Sequence, residues 1–163
     1  MRERGFTLIE VLVVVAIIGI LLLTAYPNIK NSLEVRALEN EARQILTTLH
    51  QAKLQAVKFK LNHRVSFDNS LGYWVYFIER EVSYNTWVEV PGFMRRFIPN
   101  KLTFTLNLPG QVLVFSPLGF VLNYSTTQHD ISIQSPNILR QAQPSTRTIV
   151  IYAGGSIQYT KSA

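Results

Sequence analysis

The chain has 163 residues, no cysteine and a formal charge of +6. That length suits one small domain with an anchoring segment rather than two full domains. Without cysteine the chain has no disulfide, no thiol nucleophile and no thiolate metal site.

The apolar residues are unevenly placed. Residues 11–23, VLVVVAIIGILLL, form an unbroken apolar run, preceded by Arg2 and Arg4. Positive charge ahead of a span keeps that end cytoplasmic, so the rest of the chain is expected to be exported. From Phe6 to Tyr26 there are 21 residues, about 31 Å of helix at ~1.5 Å per residue. A hydrocarbon core is about 30 Å thick, and Pro27 then interrupts the run. An ordinary secretory signal would have a shorter apolar core followed by a small-residue cleavage site. Thr24-Ala25-Tyr26-Pro27 is a poor version of such a site. Glu10 is out of place in a plain anchor, because a carboxylate near the bilayer centre costs about 2.5–3.5 kcal/mol. Near the headgroups it would complement the dipole of the helix start.

Beyond Pro27 the pattern turns amphipathic. Ile29, Leu33, Leu38, Ala42, Ile45 and Leu49 lead an apolar stripe that continues through Ala52, Ala56 and Val57. Polar residues such as Glu34, Arg36, Glu39, Glu41 and Arg43 occupy the other side. One helix is expected from the apolar run to about Phe59, with its stripe on a sheet. The stripe as a whole does not keep a strict seven-residue period, which argues against a coiled coil. The period then shifts to two, and strands are expected at 64–67, 73–80, 87–90, 102–108, 112–115, 120–124, 131–134, 148–153 and 156–159. Turn residues separate them, among them Pro109-Gly110, Pro117-Leu118-Gly119 and Gly154-Gly155. Residues 136–144 read as a loop. The expected fold class is α+β, a long N-terminal helix packed on an antiparallel β-sheet.

The segment Gly5-Phe6-Thr7-Leu8-Ile9-Glu10 resembles the cleavage and methylation motif of type IV prepilins and type II secretion pseudopilins. The resemblance implies a pilin fold and a leader at 1–5 removed by a prepilin peptidase. It implies cleavage between Gly5 and Phe6, and N-methylation of Phe6. It also implies a transmembrane and assembly helix at 6–27 and an extracytoplasmic domain at 28–163. Gly5 leaves the scissile backbone open to close approach. Cleavage frees an amine that is cationic near neutral pH. By the resemblance, Glu10 meets the Phe6 amine of a neighbouring subunit, so that two costly charges are paired during assembly. Gly19 and Pro27 soften the helix, as is common in this family and in membrane helices generally.

A second resemblance lies in the domain. Val114-Phe115-Ser116-Pro117-Leu118-Gly119 resembles a hairpin of the H-type minor pseudopilins and T-type fimbrial minor pilins, and the stretch from Arg147 to Ile157 resembles their final hairpin. DNA-binding members of the T-type group carry arginines after the glycine of that hairpin. Here the residues are Gly155-Ser156-Ile157-Gln158. Six late basic residues, Arg95, Arg96, Lys101, Arg140, Arg147 and Lys161, face one acid, Asp130, over the same stretch, but they form no run. Nucleic acid is therefore not an expected partner.

No enzyme constellation is visible. His50, His63 and His129 lack metal-ligand spacing, and Asp68 and Asp130 lack partner carboxylates. Asp68-Asn69-Ser70 is too poor in acids for a calcium loop. No catalytic residue, metal or cofactor is expected. The resemblance implies a minor pseudopilin of a type II secretion system or, alternatively, a minor type IV pilin in pilus assembly or DNA uptake. The implied partners are other pilin subunits, the peptidase and methylase, an assembly platform and membrane lipid. The implied place is the bacterial inner membrane, with a single span and a cytoplasmic N-terminus.

Overall fold

The structure, a computed structural model, describes residues 7–139 and 143–162, and the side chains of all of these except 23–28. A single helix, α1, runs over Leu8–Phe59, about 78 Å at ~1.5 Å per residue. It ends at Lys60, whose left-handed backbone (φ 57°) closes the last turn. Leu38, Ala42, Ile45, Leu49, Ala52 and Ala56 are fully buried. These residues follow one another at alternating steps of four and three, so the buried part of the stripe does keep the seven-residue rhythm that the stripe as a whole lacks. Its partner is sheet rather than a second helix. Small Ala42, Ala52 and Ala56 let the strands approach the helix axis closely.

Among the described residues nine strands follow: β1 His63–Asp68, β2 Val75–Ser83, β3 Thr86–Glu89, β4 Arg96–Phe97, β5 Thr103–Asn107, β6 Val112–Phe115, β7 Asp130–Gln134, β8 Thr146–Ile151 and β9 Ile157–Ser162. Among the described residues they form two antiparallel sheets, where one was expected. The first runs β3-β2-β1-β6, with β4 also pairing β2, and the second runs β5-β7-β8-β9. The division falls at the 3-10 turn over Pro109–Gln111. Gly110 and Gln111 both take positive φ there, which rotates the chain so that β5 and β6 enter different sheets. Both sheets lay their inner faces on α1. Val65, Phe67, Ile78 and Phe115 come from the first, and Ile131, Ile133, Ile149 and Ile151 from the second.

Three local expectations are corrected. The strand expected at 120–124 is reduced to a bridge between Phe115 and Val121. Asn123 takes over the ladder beyond it, accepting from Val114 N at 2.9 Å and donating to Val112 O at 2.8 Å. The loop expected at 136–144 contains a short helix, α2, Pro136–Leu139. Ile29 and Leu33 lie exposed rather than against the sheet; the helix has no strand beside it until further along. Among the described residues no helix is long and apolar enough to cross a membrane. The span expected at 6–27 takes in Phe6 and the side chains of 23–27, which lie outside the described residues.

Candidate functional site

The helix start carries the first group of candidate residues. Thr7 is the N-cap, with extended backbone (φ −82°, ψ 151°), and its hydroxyl accepts from Glu10 N at 3.3 Å. Its carbonyl accepts from Glu10 N and Val11 N at 3.1 and 3.3 Å. A threonine three residues before a glutamate is the sequence of a capping box. Thr7 was legible on that ground, and its role was missed. The hydroxyl gives the Glu10 amide a second acceptor beside the Thr7 carbonyl, while Glu10 places negative charge in the helix's positive first turn. Glu10 is exposed, and among the described residues no ion pair reaches its carboxylate. Around it the apolar side chains from Leu8 (83% exposed) to Leu22 point outward without cover. Gly5 and Phe6 lie outside the described residues.

The second group lies at the other end of the domain. The turn at 116–119 closes with Gly119 N donating to Ser116 O at 2.8 Å, and Ser116 Oγ accepts from Phe120 N at 3.1 Å. The turn at 152–155 closes with Gly155 N donating to Tyr152 O at 2.8 Å. These are the two hairpins singled out by resemblance, and they pack backbone against backbone. Val121 N donates to Ala153 O at 3.0 Å. A Cβ on Gly155 would lie 1.9 Å from Gly119 O, closer than any side chain can come. Both glycines have positive φ. Lys53 of α1 secures the pair, donating from Nζ to Gly155 O at 2.8 Å. Nothing in the sequence marked Lys53, which acts across a separation of 102 residues.

The late basic residues largely meet partners within the domain. Glu39 Oε2 accepts from Arg147 Nε at 3.1 Å, from Tyr159 OH at 2.7 Å and from Lys161 Nζ at 3.0 Å. Its other oxygen accepts from Arg43. Burial works to raise the Glu39 pKa, but the bonds from Tyr159, Lys161 and Arg147 outweigh it and hold the carboxyl at about 2. Burial, together with the Glu39 carboxylate, pushes the Tyr159 phenol up to about 12. Arg95 pairs with Glu89, and Arg96 donates to Gln44 at 2.9 Å. Arg140 lies outside the described residues.

His63 is buried with Nδ1 2.9 Å from Leu61 O, and burial lowers its pKa. Asp68 accepts from Ser70 N and Oγ within its own turn. Among the described residues no cluster of three or more His, Cys, Asp or Glu is placed to hold a metal ion.

Residues 1–26 match the family model described as the prokaryotic N-terminal methylation motif. Over 73 residues, 44% of the chain, it is 44% identical to the type IV major pilin protein PilA of Myxococcus xanthus (strain DK1622). The chain spans about a third (32%) of the length of that curated relative. The crystal structure of the type IV minor pilin FimU of Pseudomonas aeruginosa (strain PAO1) shares the fold with a TM-score of 0.55. That match covers 78% of this chain and 90% of FimU at 16% identity, so the likeness is one of fold. The chain is thus similar to type IV pilins in its N-terminal motif, in part of its sequence and in its fold. Its architecture is the pilin fold, a long N-terminal helix packed on antiparallel sheet.

Proposed function

We propose that the chain is a non-catalytic structural subunit that assembles, through the first half of α1, with other pilin-type subunits into a fibre. The observation behind this reading is the uncovered apolar surface from Leu8 to Leu22 with Glu10 set among it. In the assembled fibre the apolar side chains are buried between helices, and Glu10 receives the cationic Phe6 amine of a neighbour. Before assembly the same segment, at 6–27, holds the subunit in the inner membrane, with its leader at 1–5 on the cytoplasmic side and residues 28–163 outside. A prepilin peptidase removes the leader between Gly5 and Phe6, and Phe6 is then methylated.

Two fibres fit this reading, a type II secretion pseudopilus and a type IV pilus. PilA and FimU are both named for type IV pili, the first as a major and the second as a minor pilin, which favours a type IV pilus. Deleting the gene and scoring surface pili beside protein secretion separates the two: loss of pili with secretion intact supports the pilus. Assembly is tested with Glu10→Gln. This variant should insert and be cleaved normally, with Phe6 as the first residue of the mature protein, but crosslink poorly to other subunits. Recovery with partners at the wild-type level would remove the pairing role. A mature N-terminus other than Phe6 would remove the processing site.

A further inference from the structure

Four turns meet at the end of the domain farthest from the helix start: 60–62 after α1, 83–86 between β2 and β3, and the two glycine turns. The strand register brings them together. His63, which opens β1, pairs with Arg80 towards the end of β2 and with Phe115, which closes β6. Gly155 lies against Gly119. Large apolar side chains are exposed on or beside these turns, namely Phe59, Leu61, Val82, Tyr84, Leu118 and Phe120. Tyr84 is 92% exposed and Leu118 78%. Exposed Lys58, Lys60 and Arg80 stand among them. The acid at this end, Glu81, is engaged by Asn62 Nδ2 at 2.6 Å and Asn85 N at 3.0 Å.

We propose that this end of the domain is a docking surface for an anionic lipid bilayer. Its apolar groups sit on or beside separate turns, a form suited to shallow insertion among headgroups. The surrounding charge is positive and mostly lysine, which acts as a point charge towards anionic headgroups. A nucleic-acid surface would instead favour forked arginine contacts with phosphate. A cleft of about 390 Å³ beside Leu61, Val82, Tyr84 and Pro117, with Lys60 in its lining, offers space beside a headgroup. Because α1 is about 78 Å long, this surface faces away from a membrane holding the helix start. Its target is a second bilayer, whichever fibre the chain enters.

The full chain is loaded into neutral phosphatidylcholine nanodiscs and mixed with separate vesicles. Failure to enter the nanodisc reports on the anchor, apart from events at the distal end. The chain has no cysteine, so Ser83→Cys, exposed beside Tyr84 in the same turn, gives a single site for an environment-sensitive label. Vesicles of phosphatidylglycerol mixed equally with phosphatidylcholine should sediment the loaded nanodiscs roughly tenfold better than phosphatidylcholine alone. The label should shift to the blue. Lys58→Gln with Lys60→Asn, and separately Tyr84→Ser with Leu118→Ser, should each abolish most of the binding while circular dichroism stays unchanged. Equal binding to neutral vesicles, or unaltered binding by the Tyr84→Ser, Leu118→Ser chain, overturns the proposal. So does binding of a single-stranded oligonucleotide or polyglutamate as tight as that of the anionic vesicles. The label in the otherwise wild-type chain decides the matter even if a double variant fails to fold.

Discussion

Arg147 is 3% exposed, and a guanidinium so placed needs an anion beside it. Glu39 is that anion, and it serves Tyr159 and Lys161 through the same oxygen. Glu39→Gln should therefore cost about 2–4 kcal/mol, most of it from leaving the Arg147 charge buried without a counterion. Tyr159→Phe, which removes one bond to the cluster, should cost about 1 kcal/mol. Urea denaturation of the two variants measures both, and equal midpoints would show that the cluster has little energetic weight. The folded pKa of Glu39 lies near 2, below its ordinary 4.5. Its contribution is then complete above about pH 4.5 and is lost as pH falls through that window towards 2. The Gln variant should lack this segment of the pH dependence. Glu39 was read from the sequence only as part of a polar helix face, because its partners other than Arg43 lie 108 to 122 positions away.

The elements themselves were legible wherever a period ran long enough. Alternation placed β1, β2, β6, β7 and β8 within a few residues of their observed bounds, since each has one buried face. Alternation is silent about which strands pair, so the division into two sheets was not visible. A two-residue strand such as β4 has no period to detect. Pattern also cannot reveal that an asparagine side chain replaces a strand at 120–124. The paired glycine turns are a middle case: each turn was readable from its residues, their contact was not. That contact yields a comparison. Gly155→Ala meets both an unfavourable φ of +74° and the backbone of Gly119, whereas Gly72→Ala meets an unfavourable φ of +80° and open space. Gly72→Ala should cost about 1–2 kcal/mol from the left-handed backbone alone. Gly155→Ala should cost at least about 2 kcal/mol more, as the hairpins are forced apart. Thermal unfolding of the two variants makes the test; similar midpoints would mean that the hairpins separate easily.

Across the whole molecule, the helix does two things along its length, and the change occurs between Leu33 and Leu38. Leu33 is exposed and Leu38 fully buried. From Leu38 onward every third or fourth side chain enters the core shared by both sheets. Arg147, Tyr159 and Lys161 reach across from β8 and β9 to Glu39. The domain boundary expected at residue 28 thus lies about ten positions ahead of the place where folding energy begins to accrue. A chain truncated to begin at Asn28 should fold as a soluble domain, and one beginning at Glu34 should match it within about 1 kcal/mol, because Ile29, Lys30, Ser32 and Leu33 are exposed. A chain beginning at Asn40 loses the buried Leu38 side chain and Glu39's whole cluster. Removing a buried leucine costs about 2–5 kcal/mol, and stranding Arg147 adds about 2–4 kcal/mol. Against a total stability of about 5–15 kcal/mol for a domain, that chain should be largely unfolded at room temperature. Circular dichroism and urea titration of the three truncated chains locate the transition. If the chain beginning at Asn40 keeps its sheet signal and its midpoint, the sheets carry the fold without the start of the buried stripe. If the chain beginning at Glu34 already unfolds, residues 28–33 contribute contacts that the exposure of Ile29, Lys30, Ser32 and Leu33 does not suggest.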